Sequence, residues 1–265
     1  MKQYYFISGL PRSGSTLLSA ILKQNPEFYA DISSPVQTLC SSVIDVLTGS
    51  ENNLNIKEDQ RTTLLHHVFE GYYAHVNRSV IFDSNRGWTS KTSLLKHLFP
   101  YTKIICCVRE VEWILDSFER ITAQNCLYTN TFADEESHQS VETRCADMMD
   151  VKKSGMVIKP WYWLQEGLAI NPDMIHLVNY KDLCENPKQT MQQVYKFIDK
   201  PWFEHDFDHV VYENKLFDRA VNKTGLHTVR HKVEWKDRRS ILPQYVIDRY
   251  KNMNFWLNAS SFRYE

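Results

Sequence analysis

Residues 9–16 are the stretch that most constrains the fold, because they form a glycine-containing loop between a strand-like segment and a helix-like segment. The loop reads Gly-Leu-Pro-Arg-Ser-Gly-Ser-Thr; a β-forming run at residues 4–8 precedes it, and a run with helical apolar spacing at residues 17–22 follows it. Such a unit directs backbone N–H groups and the positive end of a helix dipole at an anion in the loop. The start of the chain therefore predicts an α/β fold with a phosphate-binding loop.

The loop differs at one position from the loops that bind ATP and GTP. Those loops follow the pattern G-x-x-x-x-G-K-[ST], in which the lysine reaches the β- and γ-phosphates and the hydroxyl holds Mg²⁺. Here Ser15 replaces the lysine, and the nearest cation is Arg12, three residues earlier. We therefore expect a nucleotide whose reacting group carries less charge than a γ-phosphate and needs no metal ion. The candidate nucleotide-binding residues of the loop are Pro11, Arg12, Ser13, Gly14, Ser15 and Thr16.

The composition predicts one domain without a strong overall charge. With 265 residues, of which 43% are hydrophobic, the chain can bury a full core as a single domain over residues 1–265. Its 31 basic and 32 acidic residues give a formal net charge of −1. Such a chain has no general attraction for nucleic acid, so we expect no nucleic-acid partner and a local anion site.

The cysteines and the apolar segments predict a cytoplasmic protein. The six cysteines form no C-x-x-C pair, and Cys106 and Cys107 fall in an apolar, strand-like run, so we expect reduced thiols. The chain enters its first strand without a basic region followed by a long apolar segment, and no apolar run approaches about 18 residues. We therefore expect neither an export signal nor a membrane span, and the sequence leaves the oligomeric state open.

Strand-like and helix-like segments alternate along the chain. The predicted strands are residues 4–8, 28–32, 80–82, 103–108 and 174–178. The predicted helices are residues 34–48, 58–76 and 90–99, with a further helix that Asn186 caps and Pro187 begins. This alternation predicts a three-layer α/β fold in which helices flank a central, mostly parallel sheet. Residues 129–140 are predicted to form an exposed loop, and residues 200–235 an irregular lid.

A second candidate anion site follows another predicted strand. Arg109 stands at the carboxyl end of the run 103–108, where parallel α/β sheets bind their ligands. Ser117 lies about two helical turns later, too deep in the following helix to cap it. Its hydroxyl is therefore available to the backbone one turn back or to a ligand.

These residues resemble a known family, the sulfotransferases that use 3′-phosphoadenosine-5′-phosphosulfate (PAPS). Residues 11–16 resemble the 5′-phosphosulfate loop of that family, and the segment from Arg109 to Ser117 resembles its 3′-phosphate element with the same spacing. Residues 178–183 resemble its Y-E-D-L segment, with Lys181 in place of the glutamate. The loop arginine and the Leu-Phe-Pro at residues 98–100 are more similar to the tyrosylprotein and bacterial branches than to the cytosolic small-molecule enzymes.

The resemblance implies a sulfuryl donor and a set of nucleotide contacts. It implies that PAPS is the donor, and that Arg12 and the loop N–H groups stabilise an in-line transfer without a metal ion. A sulfuryl group carries less charge than a γ-phosphoryl group, which agrees with a serine at position 15. The implied nucleotide-binding residues outside the loop are Arg109, Ser117, Tyr180, Arg230 and Lys232.

The acceptor side departs from the family pattern. Transfer to a hydroxyl needs a general base, yet the glutamate of the tyrosylprotein enzymes and the histidine of the cytosolic K-T-H segment have no counterpart here. We predict Asp83 as the catalytic base, Asp31 as the second candidate, and Arg86 as an aid to the sulfuryl group or the nucleotide. The predicted acceptor is a hydroxyl-bearing small molecule, lipid or glycan, and the missing glutamate counts against a peptide tyrosine.

Two other functions remain open from the sequence alone. A P-loop kinase of a small metabolite would share the loop, although Ser15 counts against it. A nucleotide-binding module without catalysis would account for the absent glutamate and histidine. His227 and His231 lack a carboxylate or cysteine partner at metal-ligand spacing, so no metal site is predicted.

Overall fold

Five parallel strands form one sheet in the computed structural model, which describes residues 2–49, 51–127, 132, 140–212 and 229–257. The strands are β1 (Gln3–Gly9), β2 (Phe28–Ala30), β3 (Val80–Ser84), β4 (Ile104–Val108) and β5 (Ile175–Asn179). Their order across the sheet is β2-β3-β1-β4-β5. Strands β1, β3 and β4 are almost entirely buried, as expected of a parallel sheet covered on both faces.

The strand order reverses beside β1. From β1 the chain runs to β2 and returns to β3, which pairs with β1 so that Phe6 lies opposite Asp83. It then crosses to the other side of β1, where Gly9 lies opposite Cys107 of β4. Open α/β sheets bind ligands outside the carboxyl ends of their strands at such a reversal. The fold therefore places the expected crevice beside the loop that follows β1.

Helices cover both faces of the sheet. They are α1 (Ser15–Leu22), α2 (Val36–Thr48), α3 (Asn52–Asn55), α4 (Glu58–Tyr72), α5 (Thr92–Leu98), α6 (Val111–Gln124), α7 (Val141–Met148), α8 (Ile158–Ile170), α9 (Tyr180–Glu185), α10 (Pro187–Phe197) and α11 (Gln244–Tyr250). One buried cluster joins the sheet to α2, α4, α6 and α8, and a second joins the opposite face to α1, α9 and α10. These two cores confirm the predicted three-layer α/β fold.

The structure confirms the five predicted strands and corrects three helix details. The helix predicted over residues 58–76 ends at Tyr72. The one predicted over residues 90–99 is a 3₁₀ turn, Arg86–Lys91, followed by α5. Asn186 does occupy the position before α10, but its side chain makes no capping hydrogen bond.

The predicted loop and lid are only partly described. Of residues 129–140, the structure describes Phe132, which is buried against Phe118 with ring centroids 4.8 Å apart, and Ser140. Residues 213–228 of the predicted lid, including His227, lie outside the described residues. The described parts of that lid, 200–212 and 229–235, contain neither helix nor strand. None of the helices in the described ranges is long and apolar enough to cross a membrane.

Candidate functional site

A cleft of about 830 Å³ lies at the carboxyl edge of the sheet, where the strand order reverses. Its walls are the loop after β1, the ends of β3 and β4, the start of α9, and residues 229–238 near the C-terminus. We call residues 229–242 the strap. The cleft collects residues that follow all five strands of the sheet, so it is the candidate functional site.

The loop after β1 is anchored to β4. Gly9 has a φ of 109°, and a Cβ atom there would lie 2.2 Å from the carbonyl oxygen of Cys107, so only glycine fits this crossing. The Leu10 N–H donates to the same carbonyl oxygen at 2.9 Å. The Ser13 hydroxyl donates to the Leu10 carbonyl oxygen at 2.5 Å and lies 2.9 Å from that of Cys107. These contacts hold the loop in place and turn the Ser13 side chain away from the cleft.

The second half of the loop leads directly into α1. Gly14 occupies the cap position with a φ of 96°, and no side chain caps the helix. The first backbone N–H groups of a helix have no partner within it, so those of α1 are available to an anion in the cleft. Thr16 lines the cleft as the second residue of α1 and therefore does not cap it.

Arg12 connects the two predicted anion elements. Its backbone has a φ of 58°, a left-handed conformation that residues other than glycine rarely adopt. Its Nε donates to the Ser117 Oγ on α6 at 3.1 Å, and Nη1 of Arg109 donates to its carbonyl oxygen at 3.3 Å. Residues that are 97 positions apart in the sequence thus contact each other, and both line the cleft.

Arg109 is a buried cation that retains an unused donor. Only 8% of its surface is exposed, and among the described residues its Nε has no hydrogen-bond partner. Its guanidinium lies over the Tyr180 ring, 4.6 Å from the centroid. Burial lowers the pKa of the Arg109 guanidinium, which still carries its charge. Because a buried cation needs a counter-charge, this position suits an anionic ligand group.

Tyr180 closes the floor of the cleft. It is the first residue of α9, and its ring packs so tightly on the loop that a Cβ atom on Gly14 would lie 2.6 Å from its Cδ2. Burial raises the pKa of the Tyr180 phenol, so the hydroxyl stays neutral. Trp235 of the strap meets the same ring edge-on at 6.0 Å. The ring therefore touches the loop, Arg109 and the strap at once.

The first half of the strap is tied to residues 207–210. The Val210 N–H donates to the His231 carbonyl oxygen at 2.7 Å, and the Val233 N–H donates to that of Phe207 at 2.8 Å. Arg230 and Lys232, two of the predicted nucleotide-binding residues, both line the cleft. Lys232 also pairs with Asp208 at 2.9 Å through a side chain that is 62% exposed.

The cleft is locally positive although the whole chain has a net charge of −1. Two acidic residues line it, Glu234 and Asp237, against seven basic ones. The basic residues are Arg12, Arg86, Arg109, Arg230, Lys232, Lys236 and Arg238. A concave site with one dominant sign of charge concentrates the field and attracts ligands of the opposite sign. This distribution agrees with the predicted local anion site.

Asp83, the predicted catalytic base, does not reach the cleft. Its side chain has no exposed surface, and one carboxylate oxygen accepts hydrogen bonds from Ser34 Oγ at 2.5 Å and the Tyr73 hydroxyl at 2.6 Å. The other oxygen accepts from Trp88 Nε1 at 2.6 Å. Burial raises the pKa of this carboxyl, but no acceptor in the cleft can touch it. We correct the prediction: Asp83 holds the chain after β2 and the 3₁₀ turn after β3 together.

The second predicted base, Asp31, is also outside the cleft lining. One of its oxygens accepts from the Tyr212 hydroxyl at 2.6 Å and from the Ile32 N–H at 2.7 Å. Arg86, by contrast, enters the cleft directly after β3. Its side chain is exposed in the cleft, and its guanidinium makes no hydrogen bond or ion pair to a described residue. Arg86 is therefore an available cation on the β3 side of the loop.

The structure brings together most of the predicted nucleotide-binding residues. Ten of them line one cleft: Pro11, Arg12, Gly14, Ser15, Thr16, Arg109, Ser117, Tyr180, Arg230 and Lys232. Arg238 and Trp235 also line it, although neither was predicted from the sequence. The pair of arginines at 238–239, just beyond the predicted lid, was the available signal for the first of these. Within the described ranges, no group of histidine, cysteine, aspartate and glutamate is arranged to hold a metal ion.

Comparisons with known proteins identify relatives of this fold. A family profile described as "Sulfotransferase family" matches residues 5–204. The sulfotransferase domain from the curacin biosynthetic pathway superposes with a TM-score of 0.52 at 17% identity, covering 100% of this chain and 99% of that chain. Sulfotransferase STF9 from Mycobacterium avium superposes with a TM-score of 0.52 at 12% identity, covering 100% and 78%.

A third solved structure of the same fold contains a nucleotide. Retinol dehydratase in complex with androsterone and inactive cofactor PAP superposes with a TM-score of 0.52 at 12% identity, covering 99% of this chain and 82% of that chain. At these identities the likeness concerns the fold. No curated protein sequence has a significant match to the chain.

Proposed function

The chain belongs to the sulfotransferase family, and we propose that it transfers a sulfuryl group from PAPS to a hydroxyl group of an acceptor. The observation that carries this proposal is the contact between Arg12 and Arg109, which joins the ends of β1 and β4 in one positive cleft. The complex of retinol dehydratase with PAP, on the same fold, supports PAPS as the donor.

The residues of the cleft fit a nucleotide with two anionic ends. The loop amides and the open N-terminus of α1 would hold the 5′ end, with Arg12 beside them. Arg109, with its unused Nε, and Ser117 would hold the 3′-phosphate, and Arg230 and Lys232 of the strap would cover it. Two separate anion sites suit PAPS better than they suit ATP, whose phosphates form one chain.

Arg12 is the proposed catalytic residue. When bound, PAPS supplies the sulfuryl group, and its nucleotide part, 3′-phosphoadenosine-5′-phosphate (PAP), is the leaving group. Arg12 and the loop N–H groups are fixed before the ligand arrives, so they can stabilise charge that develops in an in-line displacement. The proposed mechanism uses this guanidinium rather than a metal ion, since Ser15 stands where a lysine belongs in the Mg²⁺-dependent loops.

Arg86 is the proposed second cation at the reacting group. It follows β3, the neighbour of β1, and the Ser8 hydroxyl of β1 donates to its carbonyl oxygen at 3.0 Å. Its guanidinium therefore enters the cleft beside the loop. The acids that line the cleft in the described ranges are Glu234, paired with Lys236 at 2.5 Å, and Asp237, which accepts from Trp235 Nε1 at 2.8 Å. Neither is proposed as the base, because each is already engaged.

The acceptor and the location complete the proposal. We propose a hydroxyl-bearing small molecule, lipid or glycan as the acceptor, and a peptide tyrosine is disfavoured because the glutamate of the tyrosylprotein enzymes is missing. We also propose a cytoplasmic location. All six cysteines are free and five of them are buried, which supports a reducing compartment.

The test is release of PAP from PAPS in the presence of a panel of alcohols, sugars, lipids and phenols, measured with and without EDTA. We expect acceptor-dependent release that EDTA does not reduce. A parallel reaction with Mg²⁺ and ATP tests the kinase reading, and turnover of ATP in place of PAPS would overturn the proposal. Binding of PAP without turnover on any acceptor class would favour the non-catalytic nucleotide-binding module.

A further inference from the structure

A buried carboxylate on α6 holds the second half of the strap. Asp116 directly precedes Ser117, and none of its side chain is exposed. Its oxygens accept hydrogen bonds from Arg120 Nε at 2.9 Å, Arg238 Nη2 at 2.6 Å, Ser240 Oγ at 3.2 Å and the Ile241 N–H at 2.8 Å. Three of these four donors belong to the strap, more than 120 residues away in the sequence.

The pairing of Asp116 follows from its burial. A carboxylate taken out of water must be satisfied by donors, and here the strap provides most of them. Arg120, one turn further along α6, adds a second tie because its Nη2 donates to the Arg239 carbonyl oxygen at 2.7 Å. Hydrogen bonds to α6 thus anchor the strap at residues 238–241, and hydrogen bonds to residues 207–210 anchor it near His231.

Between these two anchors the strap crosses the cleft. Arg238 lines the cleft and also pairs with Asp116, so the carboxylate sets the position of its guanidinium. The guanidinium also lies over the Trp113 ring, 5.7 Å from the centroid. Arg109 and Arg238 both line this cleft, and after burial the charge of Arg238 helps to lower the pKa of Arg109. Two neighbouring cations repel each other unless an anion lies between them.

We propose that Asp116 is a positioning residue that holds Arg238 beside the nucleotide, and that Arg238 is a further phosphate contact of the site. The inference rests on the proposed function for the identity of the ligand. The tie between Asp116 and the strap exists without ligand, so it can be tested by itself. Arg238 acts directly on the anion, and Asp116 acts only through Arg238 and the strap.

The same helix carries a matched control. Glu119 lies three residues after Asp116, is 4% exposed, and pairs through both oxygens with Arg144 of α7, Nε to Oε1 at 3.0 Å and Nη2 to Oε2 at 2.6 Å. Neither Glu119 nor Arg144 lines the cleft. Glu119→Gln therefore removes a buried charge from α6 as Asp116→Asn does, without touching the strap.

The test compares Asp116→Asn, Glu119→Gln and Arg238→Ala in the full chain with two readouts. The first is hydrogen exchange of the Ile241 amide without nucleotide, and the second is PAP affinity by calorimetry. We expect Asp116→Asn to speed exchange at Ile241 and to weaken PAP binding about tenfold, as Arg238→Ala does, while Glu119→Gln changes the affinity less than about twofold. The double variant Asp116→Asn/Arg238→Ala should bind no more weakly than the worse single variant.

The outcomes separate this inference from the proposed function. Equal effects of Asp116→Asn and Glu119→Gln on exchange and affinity, or additive losses in the double variant, would overturn the positioning role. If Asp116→Asn does not fold, Arg238→Ala decides, and unchanged PAP affinity in that variant overturns the inference. If the wild-type protein binds no PAP while Asp116→Asn still speeds exchange at Ile241, the proposed function fails and the hold on the strap stands.

Discussion

The two sides of β1 use buried acids in opposite ways. On the β4 side, Asp116 accepts hydrogen bonds from a distant strap, and Arg109 keeps an unused donor in the cleft. On the β3 side, both carboxylate oxygens of Asp83 accept hydrogen bonds from neighbouring side chains, those of Ser34, Tyr73 and Trp88. The first arrangement prepares a site for an anion. The second ties the wall together by hydrogen bonds, and among the described residues on that side one cation, Arg86, and no acid line the cleft.

This difference assigns the two substrates to different sides of the cleft: the nucleotide that donates the sulfuryl group to the β4 side, and the hydroxyl-bearing acceptor to the β3 side. The β4 side holds several cations at the cleft, among them Arg109 with its unused donor, so it should decide nucleotide affinity. The β3 side should decide which acceptor fits, because it offers shape and a single charge. Substitutions on the two sides should therefore affect different measured quantities.

The largest effect is expected at the centre of the comparison, where the two sides meet. Arg12→Ala should lower the transfer rate by about 100-fold or more, the cost typical of losing one preorganised donor at the developing charge. The measurement is the initial rate of PAP release at saturating PAPS. Arg12→Lys is the control, because it keeps the charge but loses the bond from Nε to Ser117. A rate within about tenfold of wild type for Arg12→Ala, a barrier change of only ~1.4 kcal/mol, would contradict the proposed role.

The next effect is expected on the β4 side alone. Arg109→Ala should weaken PAP binding by about 10- to 100-fold, because a charge-assisted hydrogen bond to phosphate is lost. Adenosine 5′-phosphate, which lacks the 3′-phosphate, should lose much less affinity. Calorimetric titration of both nucleotides into both proteins measures this. Equal losses for the two nucleotides would show that Arg109 does not contact the 3′-phosphate.

A steric change at the loop should have a smaller effect. Gly14→Ala puts a Cβ atom 2.6 Å from the Tyr180 ring at a φ of 96°, so the ring or the loop must move. We expect PAP affinity to fall by about tenfold. Gly71→Ala is the matched control, since a Cβ atom there has nothing within 4 Å. If Gly14→Ala binds PAP as well as Gly71→Ala does, the contact between loop and ring is not required.

The smallest effect on transfer is expected from Asp83 on the β3 side. Asp83→Asn should reduce the rate less than about tenfold, whereas removing a general base typically costs about 100-fold or more. The same variant should lose about 1–3 kcal/mol of stability, because its amide leaves one of the buried donors without an acceptor. The rate of PAP release measures the change in transfer, and urea denaturation measures the change in stability. A loss of transfer above about 100-fold in a folded variant would restore Asp83 as a catalytic residue.

The difference in stability between wild type and Asp83→Asn should depend on pH, and its direction follows from the pKa of Asp83. Burial raises the pKa of Asp83 above its ordinary value of 3.8, so the folded state holds this proton more tightly than the unfolded state does. The contribution of Asp83 to stability is complete below pH 3.8 and is lost as the pH rises through the raised pKa. The stability gap between wild type and Asp83→Asn should therefore narrow as the pH rises from about 4 to 7. A widening gap would mean that the three donors outweigh burial.

The β4 side could be predicted from sequence because its residues stand beside strand ends. Arg12 follows β1, Arg109 follows β4 and Tyr180 follows β5, and the carboxyl ends of parallel strands share one edge of the sheet. The periodicity of apolar residues located those strands within a few residues. Because each motif directly follows one of those strands, the sequence was enough to predict that the three side chains lie at the same edge of the sheet.

Asp83 shows why the β3 side was harder to predict. The predicted strand stopped at Phe82, which made Asp83 look like the first residue beyond it, but β3 continues to Ser84. Side chains alternate along a strand, so Asp83 shares a face with Ile81, which packs into the core beside α2 and α4. Because β3 is two residues longer than predicted, Asp83 lies inside the strand and its side chain points into the core instead of towards the cleft.

The hold of Asp116 on the strap could not be predicted at all. Arg238 is 122 residues away, and no local pattern links a buried acid on a helix to an arginine in an irregular segment. Such a pair becomes visible only when the layers of the fold are assembled. The fold class and the β4 side therefore followed from the sequence, and the strap and the acceptor wall required the structure.

The most direct test of the central claim is a crystal structure of the protein with PAP. The account predicts that the 5′-phosphate lies in the loop of residues 11–16, within hydrogen-bond distance of its amides, and that the 3′-phosphate contacts Arg109. A nucleotide bound outside the cleft, or one whose 3′-phosphate lies away from Arg109, would contradict it.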